Sequence, residues 1–236
     1  MNNSYNERSM KIIDLKKTIL EDNDADADRL REELKKKNVF YMNVMSSPGS
    51  GKTTTIVGTI ERLRKHFNIG VMEADIDSDV DALTVAKAGV PAVQLHTGGM
   101  CHLDADMSRQ GMAALEAEAD NALGFIILEN VGNLVCPAEF DTGACLNVAI
   151  LSVPEGDDKP LKYPLMFEKC QAVIINKTDS MPAFDFDMDN VKANIAMRNP
   201  GAVVFPVSAR TGEGMDAWCE WLKSNVAQYL GDNQNG

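Results

Sequence analysis

The run Ser46-Ser47-Pro48-Gly49-Ser50-Gly51-Lys52-Thr53-Thr54 carries the densest chemistry in the chain. Glycines at 49 and 51 let the backbone curl until several N–H groups face one phosphate. Lys52 supplies a charge long enough to reach the β- and γ-phosphates, and the Thr53 hydroxyl suits Mg²⁺. A helix starting here adds the partial positive charge of its N-terminus. Gly49, Ser50, Gly51, Lys52, Thr53 and Thr54 are therefore the expected phosphate-binding residues of a P-loop, with Lys52 also expected to act in hydrolysis. Ser46 stands where such loops usually begin with glycine, so a different backbone angle or a slightly altered loop is expected.

Asn176-Lys177-Thr178-Asp179 lies far downstream, after the apolar run Ala172 to Ile175. A carboxylate at Asp179 can accept from both N1–H and the 2-amino group of guanine, a donor pair that adenine lacks. Asn176 can contact the base edge, and the Lys177 stem can cover the ring. Ser208-Ala209-Arg210 follows the last apolar run, where GTP-binding proteins often support the guanine carbonyl. The expected ligand is GTP or GDP. A P-loop small-molecule kinase usually lacks the guanine-reading string.

Two acidic strand ends are candidates for Mg²⁺ and for the attacking water. Phe125-Ile126-Ile127-Leu128 ends in Glu129, where a commoner sequence has Asp, and Gly132 follows where backbone could approach the γ-phosphate. Glu73-Ala74-Asp75-Ile76-Asp77-Ser78-Asp79 ends another run. Thr53, Asp75 and Glu129 are the expected Mg²⁺ ligands, Asp75 through water. Asp77 or Asp79 could orient the water, or cap the next helix.

A third constellation combines sulfur and imidazole. Cys101 and His102 are adjacent, and Cys136 follows Glu129 within one short segment. Thiolate and imidazole suit Ni²⁺ and Zn²⁺, and three such ligands leave positions open for a metal that must be passed on. Asp104 and Asp106 are possible auxiliary ligands. The plainer alternative is that both cysteines are core thiols and His102 a helix cap. Cys145, Cys170 and Cys219 lie in or beside apolar segments and read as packing residues.

These residues need a scaffold. Short apolar runs beginning at Val39, Ile69, Gly124, Val148, Ala172 and Val203 alternate with helical patterns over 53–66, 79–88, 104–120 and 215–230. That alternation predicts an α/β fold of P-loop type, a mostly parallel sheet flanked by helices. Residues 1–38 differ: apolar positions at helical spacing, interrupted by Glu21-Asp22-Asn23-Asp24, predict a helical arm or a mobile tail. The expected division is an arm over 1–38 and one GTPase domain over 39–236. The 236 residues, 44% hydrophobic and 25% charged, suffice for a sizeable core. A net charge of -12 argues against a general nucleic-acid or membrane-surface binder. No apolar run approaches the roughly 20 residues of a membrane span, no signal core opens the chain, and a cytoplasmic setting with five reduced cysteines is expected.

Taken together, Asn43 to about Leu222 resembles the HypB family of hydrogenase maturation GTPases. The specific strings are Thr97-Gly98-Gly99-Met100-Cys101-His102-Leu103-Asp104-Ala105 and Glu129-Asn130-Val131-Gly132-Asn133-Leu134-Val135-Cys136-Pro137, beside the P-loop, Asp75 to Asp81 and Asn176 to Asp179. The resemblance implies a GTP-dependent homodimer with a metal site at its interface. It also implies nickel delivery to a [NiFe]-hydrogenase large-subunit precursor, and a HypA-type nickel chaperone as partner. No N-terminal cysteine motif or histidine-rich stretch is present, and Asp106 stands where many relatives have a second histidine. A UreG-like urease nickel chaperone is the nearest alternative, though that family tends to place a proline between its cysteine and histidine. A metal-independent GTPase switch is another.

Overall fold

The computed structural model describes residues 15–75, 85 and 88–232. Asp77 and Asp79, most of the expected helix over 79–88, and both chain ends lie outside the described residues.

Seven strands form one sheet: β1 Phe40–Ser46, β2 Ile69–Asp75, β3 Ala92–His96, β4 Phe125–Glu129, β5 Leu146–Ser152, β6 Ala172–Asn176 and β7 Val203–Pro206. Their order is β3-β2-β4-β1-β5-β6-β7, and every pairing is parallel. All residues of β1, β4 and β6 are buried, which matches their near-continuous apolar runs, since a parallel sheet is covered on both faces. β3 went unanticipated. Its Ala-Val-Gln-Leu-His sequence mixes polarity because it is a half-buried edge strand.

The chain adds strands on one side of β1 up to β4 and on the other side from β5 onward. That reversal makes a crevice beyond the carboxyl ends of β1 and β4, where parallel α/β sheets bind ligands. The loops leaving these two strands are the P-loop and the segment from Glu129 to Cys136.

Helices cover both faces: α1 Leu15–Lys37, α2 Lys52–Leu63, α3 Ala105–Glu118, α4 Cys136–Glu139, α5 Lys159–Lys162, α6 Pro164–Lys169, α7 Met188–Arg198 and α8 Met215–Asp232. On one face, Ile56 and Ile60 of α2 and Trp218 and Leu222 of α8 pack on Phe40, Val44, Ile127 and Val148. The Trp218 indole donates to Thr59 Oγ1 of α2 at 3.0 Å and stacks on Trp221 at 5.7 Å. On the other face, Leu30 and Leu34 of α1 join Tyr41, Met72, Leu115 and Leu128. A neighbouring cluster gathers Met45, Leu151, Phe167, Ile175 and Val191.

The acidic run at 21–24 does not interrupt the arm, which is one continuous helix of 23 residues. Glu21, Asp22 and Asp24 are exposed, while Asn23, Ala27, Leu30 and Leu34 form an inward stripe at helical spacing. α1 is docked rather than trailing. Arg109 of α3 pairs with Asp26 at 2.9 Å, Lys37 with Glu116 at 2.8 Å, and Arg31 with Asp141. Asn38, at φ 58, then turns the chain from α1 into β1.

Candidate functional site

Ser46 ends β1 fully buried, in ordinary backbone conformation, and turns its side chain into the loop. Its Oγ donates to the Ser47 carbonyl at 2.8 Å and accepts from Ser50 Oγ at 2.6 Å. The hydroxyl thus pins the loop from inside where glycine would leave it free. Positive φ falls at Gly49 (73°) and Gly51 (92°), as a curled phosphate nest requires. Gly51 precedes α2 with no side-chain cap, so the first amides of α2 are not covered by a side chain of the capping residue. Lys52, Thr53 and Thr54 form its first turn.

The base-reading strings meet this loop directly. Asn176 Nδ2 donates to the Ser50 carbonyl at 2.9 Å, and its Oδ1 accepts from Ala209 N at 3.1 Å. A Cβ on Gly51 would sit 2.4 Å from that Nδ2, so glycine is needed for the approach. Lys177, itself at φ 61, donates from Nζ to the Gly49 carbonyl at 2.6 Å. Asp179 accepts from Ser208 Oγ at 2.7 Å and from the exposed Arg210 guanidinium at 2.6 Å. The Ser208 hydrogen bond, then Arg210, hold the Asp179 carboxyl below the ordinary Asp value. The expected guanine-reading residues are therefore in one place, beside the expected phosphate-binding ones.

Thr53 Oγ1 donates to Glu129 Oε1 at 2.8 Å, and Glu129 is 2% exposed at the end of β4. Glu73, equally buried, is its register neighbour on β2. A hydroxyl and a carboxylate so placed suit a small hard cation. Asp75 ends β2 as expected. Gly132 lies against Pro48, so the segment after β4 rests on the phosphate loop.

Two polar arrangements were not visible in the sequence. Ser47 Oγ donates to Glu155, which also accepts from the Ser152 amide at 2.7 Å and hydroxyl at 2.6 Å. A row of amides also crosses the sheet. Asn130 donates to Asn43 Oδ1, and Asn43 to Asn147 Oδ1, each at 3.0 Å. Asn130 Oδ1 accepts from Val131 N at 2.8 Å, fixing the start of the segment that leads to Cys136.

That segment ends among the sulfurs. Cys101 Sγ lies 3.8 Å from His102 Nδ1. A hydrogen bond to Cys101, then burial, raises the Cys136 thiol above its ordinary value. Burial lowers His102 below the ordinary His value despite nearby Asp104 and Glu139. His102 stacks on Phe140, centroids 3.6 Å apart and planes at 13°. Two thiols and a neutral imidazole are a donor set that fits a borderline-soft ion. Among the described residues no three His, Cys, Asp or Glu side chains are already gathered tightly around one point.

Asp104 is the N-cap of α3, accepting from Met107 N at 2.8 Å; the cap is Asp104, not His102. Asp106 is exposed and accepts from Gln110 at 2.7 Å. Cys170 and Cys219 are buried among apolar neighbours, and Cys145 Sγ donates to the Tyr41 carbonyl at 3.2 Å. No helix among the described residues is long and apolar enough to cross a membrane.

Comparison with known proteins agrees with this layout. The family model of the CobW/HypB/UreG nucleotide-binding domain matches residues 40–206. The hydrogenase maturation factor HypB of Azotobacter chroococcum is 47% identical over 213 residues, 90% of this chain and 69% of that protein. Among solved structures, HypB from Helicobacter pylori in complex with nickel superposes with a TM-score of 0.83 at 38% identity, over 89% of this chain and 97% of that one. HypB from Archaeoglobus fulgidus gives 0.80 at 34% identity, over 87% and 99%. The chain belongs to the CobW/HypB/UreG family of nucleotide-binding proteins, on its HypB branch of hydrogenase maturation factors.

Proposed function

We propose that this protein hydrolyses GTP to GDP and phosphate and uses the cycle to control nickel transfer to a [NiFe]-hydrogenase precursor. One observation supports the coupling above all. The segment leaving β4 begins at Glu129, hydrogen-bonded to Thr53 of the phosphate loop, and ends at Cys136, whose thiol lies beside Cys101. A change at the γ-phosphate therefore has a short covalent route to the metal ligands.

In this reading Gly49, Ser50, Gly51, Lys52, Thr53 and Thr54 cradle the phosphates, and Asn176, Lys177, Asp179, Ser208, Ala209 and Arg210 hold guanine. Thr53, Asp75 and Glu129 would hold Mg²⁺, which when bound neutralises phosphate charge. Lys52 stabilises the transferred phosphate, and Asp75, Asp79 and Glu129 orient water and metal. Cys101, His102 and Cys136 hold nickel, the cargo, or zinc in its place. With only part of a coordination shell on one chain, a GTP-dependent homodimer completes it from two copies. A HypA-type chaperone is the partner, in the cytoplasm, with no nucleic acid or membrane involved. Residues 1–38 act as the arm and 39–236 as the GTPase domain. The adjacency of Cys101 and His102 favours this over a UreG-like urease chaperone.

The test is a Ni²⁺ titration of the purified chain with GDP and with a non-hydrolysable GTP analogue, reading stoichiometry and oligomeric state together. Tight binding lost in Cys101→Ala and Cys136→Ala, with dimerisation under the analogue, is expected. Unchanged binding would leave a metal-independent switch. Asp179→Asn should weaken GTP by roughly 100-fold while sparing ATP, and equal loss for both would remove the guanine assignment.

A further inference from the structure

The two segments that bear the metal ligands are held together by a third element. Asn23 lies half-buried on the inward stripe of α1. Its Nδ2 donates to the Asp141 carbonyl at 3.0 Å. Its Oδ1 accepts from the Ala105 amide, also at 3.0 Å. Ala105 is the first residue of α3, and Cys101 and His102 lie in the loop just before it. Asp141 follows Phe140, whose ring is stacked on His102 and whose amide closes α4 on the Cys136 carbonyl at 3.3 Å. One side-chain amide thus bridges the Cys101-His102 segment and the Cys136 segment.

The chemistry explains why an amide is needed. Ala105 N–H is one of the helix-start donors without an intrahelical partner, and Asp104 already serves Met107 N. The Asp141 carbonyl needs a donor. Only a side chain with both functions answers both, and Asn has them on one rigid plane. Arg31 reinforces the clamp by pairing with Asp141 and donating to the Ala144 carbonyl at 3.1 Å. Lys37 holds the far end of α1 to Glu116, near the other end of α3.

We infer that Asn23 is a positioning residue for the metal site: through it, α1 sets the spacing between Cys101-His102 and Cys136. The inference rests on the metal-binding reading above. Metal–sulfur and metal–nitrogen bonds tolerate about 0.2 Å of error, so loosening one segment against the other degrades binding. Loss of partners outside the ligand set typically costs 10–100-fold in metal affinity.

The test uses the full chain with Ni²⁺ alone, comparing wild type, Asn23→Ala, Asn23→Asp and Lys37→Ala. Ni²⁺ affinity, the thiolate-to-nickel charge-transfer absorbance, GDP affinity and thermal midpoint are read for each. Asn23→Ala should weaken Ni²⁺ at least tenfold and alter the absorbance band, with GDP affinity unchanged. Asn23→Asp keeps the acceptor for Ala105 but loses the donor to Asp141, so it should weaken Ni²⁺ too. It decides the matter if the alanine variant fails to fold. Lys37→Ala should keep wild-type affinity and band while lowering the midpoint. Wild-type affinity and band in the Asn23 variants would overturn the inference, as would equal weakening by Lys37→Ala, which would mean general loosening of α1. If Cys101→Ala and Cys136→Ala bind Ni²⁺ as the wild type does, the metal reading itself falls and this inference with it. If those variants lose binding and the Asn23 variants do not, only the inference falls.

Discussion

In the proposed metal site, uptake at Cys101, His102 and Cys136 has to compete with protons, and His102 and Cys136 do not compete equally. His102 is pushed down by burial, so its imidazole is already neutral at pH 7 and ready to bind. Cys136 is pushed up by its hydrogen bond to Cys101 and by burial, so its thiol is still protonated there. Binding must expel that proton. Apparent Ni²⁺ affinity should therefore rise with pH between about 7 and 9, approaching tenfold per unit for each proton released. Isothermal titrations in buffers of different ionisation enthalpy would count the protons, and a flat pH profile would contradict the assignment. The residues of the candidate site are legible in the sequence where type and order suggest the chemistry, as in Gly49 to Thr53 or Cys101-His102. Asn23 and Glu155 could not, because each acquires its role from partners far away in the chain. Asp104 has a structural role that its place beside a Cys-His pair did not announce: it caps α3.

At the scale of elements, the parallel sheet does more than place loops. The amide row Asn130–Asn43–Asn147 runs across β4, β1 and β5, with Asn43 and Asn130 buried. It links the segment leading to Cys136 to the central strand that feeds the P-loop. Asn43→Ala would leave the buried Asn130 and the half-buried Asn147 each short of a partner, at about 1–3 kcal/mol. The urea midpoint should fall with the slope unchanged, and an unchanged midpoint would show that water replaces the lost amide. The buried strands were legible because two-sided burial writes a continuous apolar run. β3 was not, being an edge strand with polar residues. α1 read as two pieces because Glu21, Asp22 and Asp24 are solvated acids on its outer side, while helix continuity is settled by the inward stripe.

For the whole molecule, the net charge of -12 and the phosphate nest act at different ranges. A nest of this kind works through direct N–H contacts, so the proposed phosphate binding is compatible with the overall field. A divalent cation arriving from solution meets that field at long distance. Ni²⁺ association should slow several-fold between about 10 and 150 mM salt, as the screening length shrinks from about 30 to 8 Å. Stopped-flow rates independent of salt would show that capture is governed by the thiols alone. Both of the chain's tryptophans lie on α8, and the Trp218 indole is tied to Thr59 of α2. α2 is the helix that starts at Lys52 in the phosphate loop. The protein thus carries its own optical strain gauge: a shift of α2 on nucleotide binding should change the ultraviolet emission of Trp218, giving the proposed cycle a native signal that needs no attached dye.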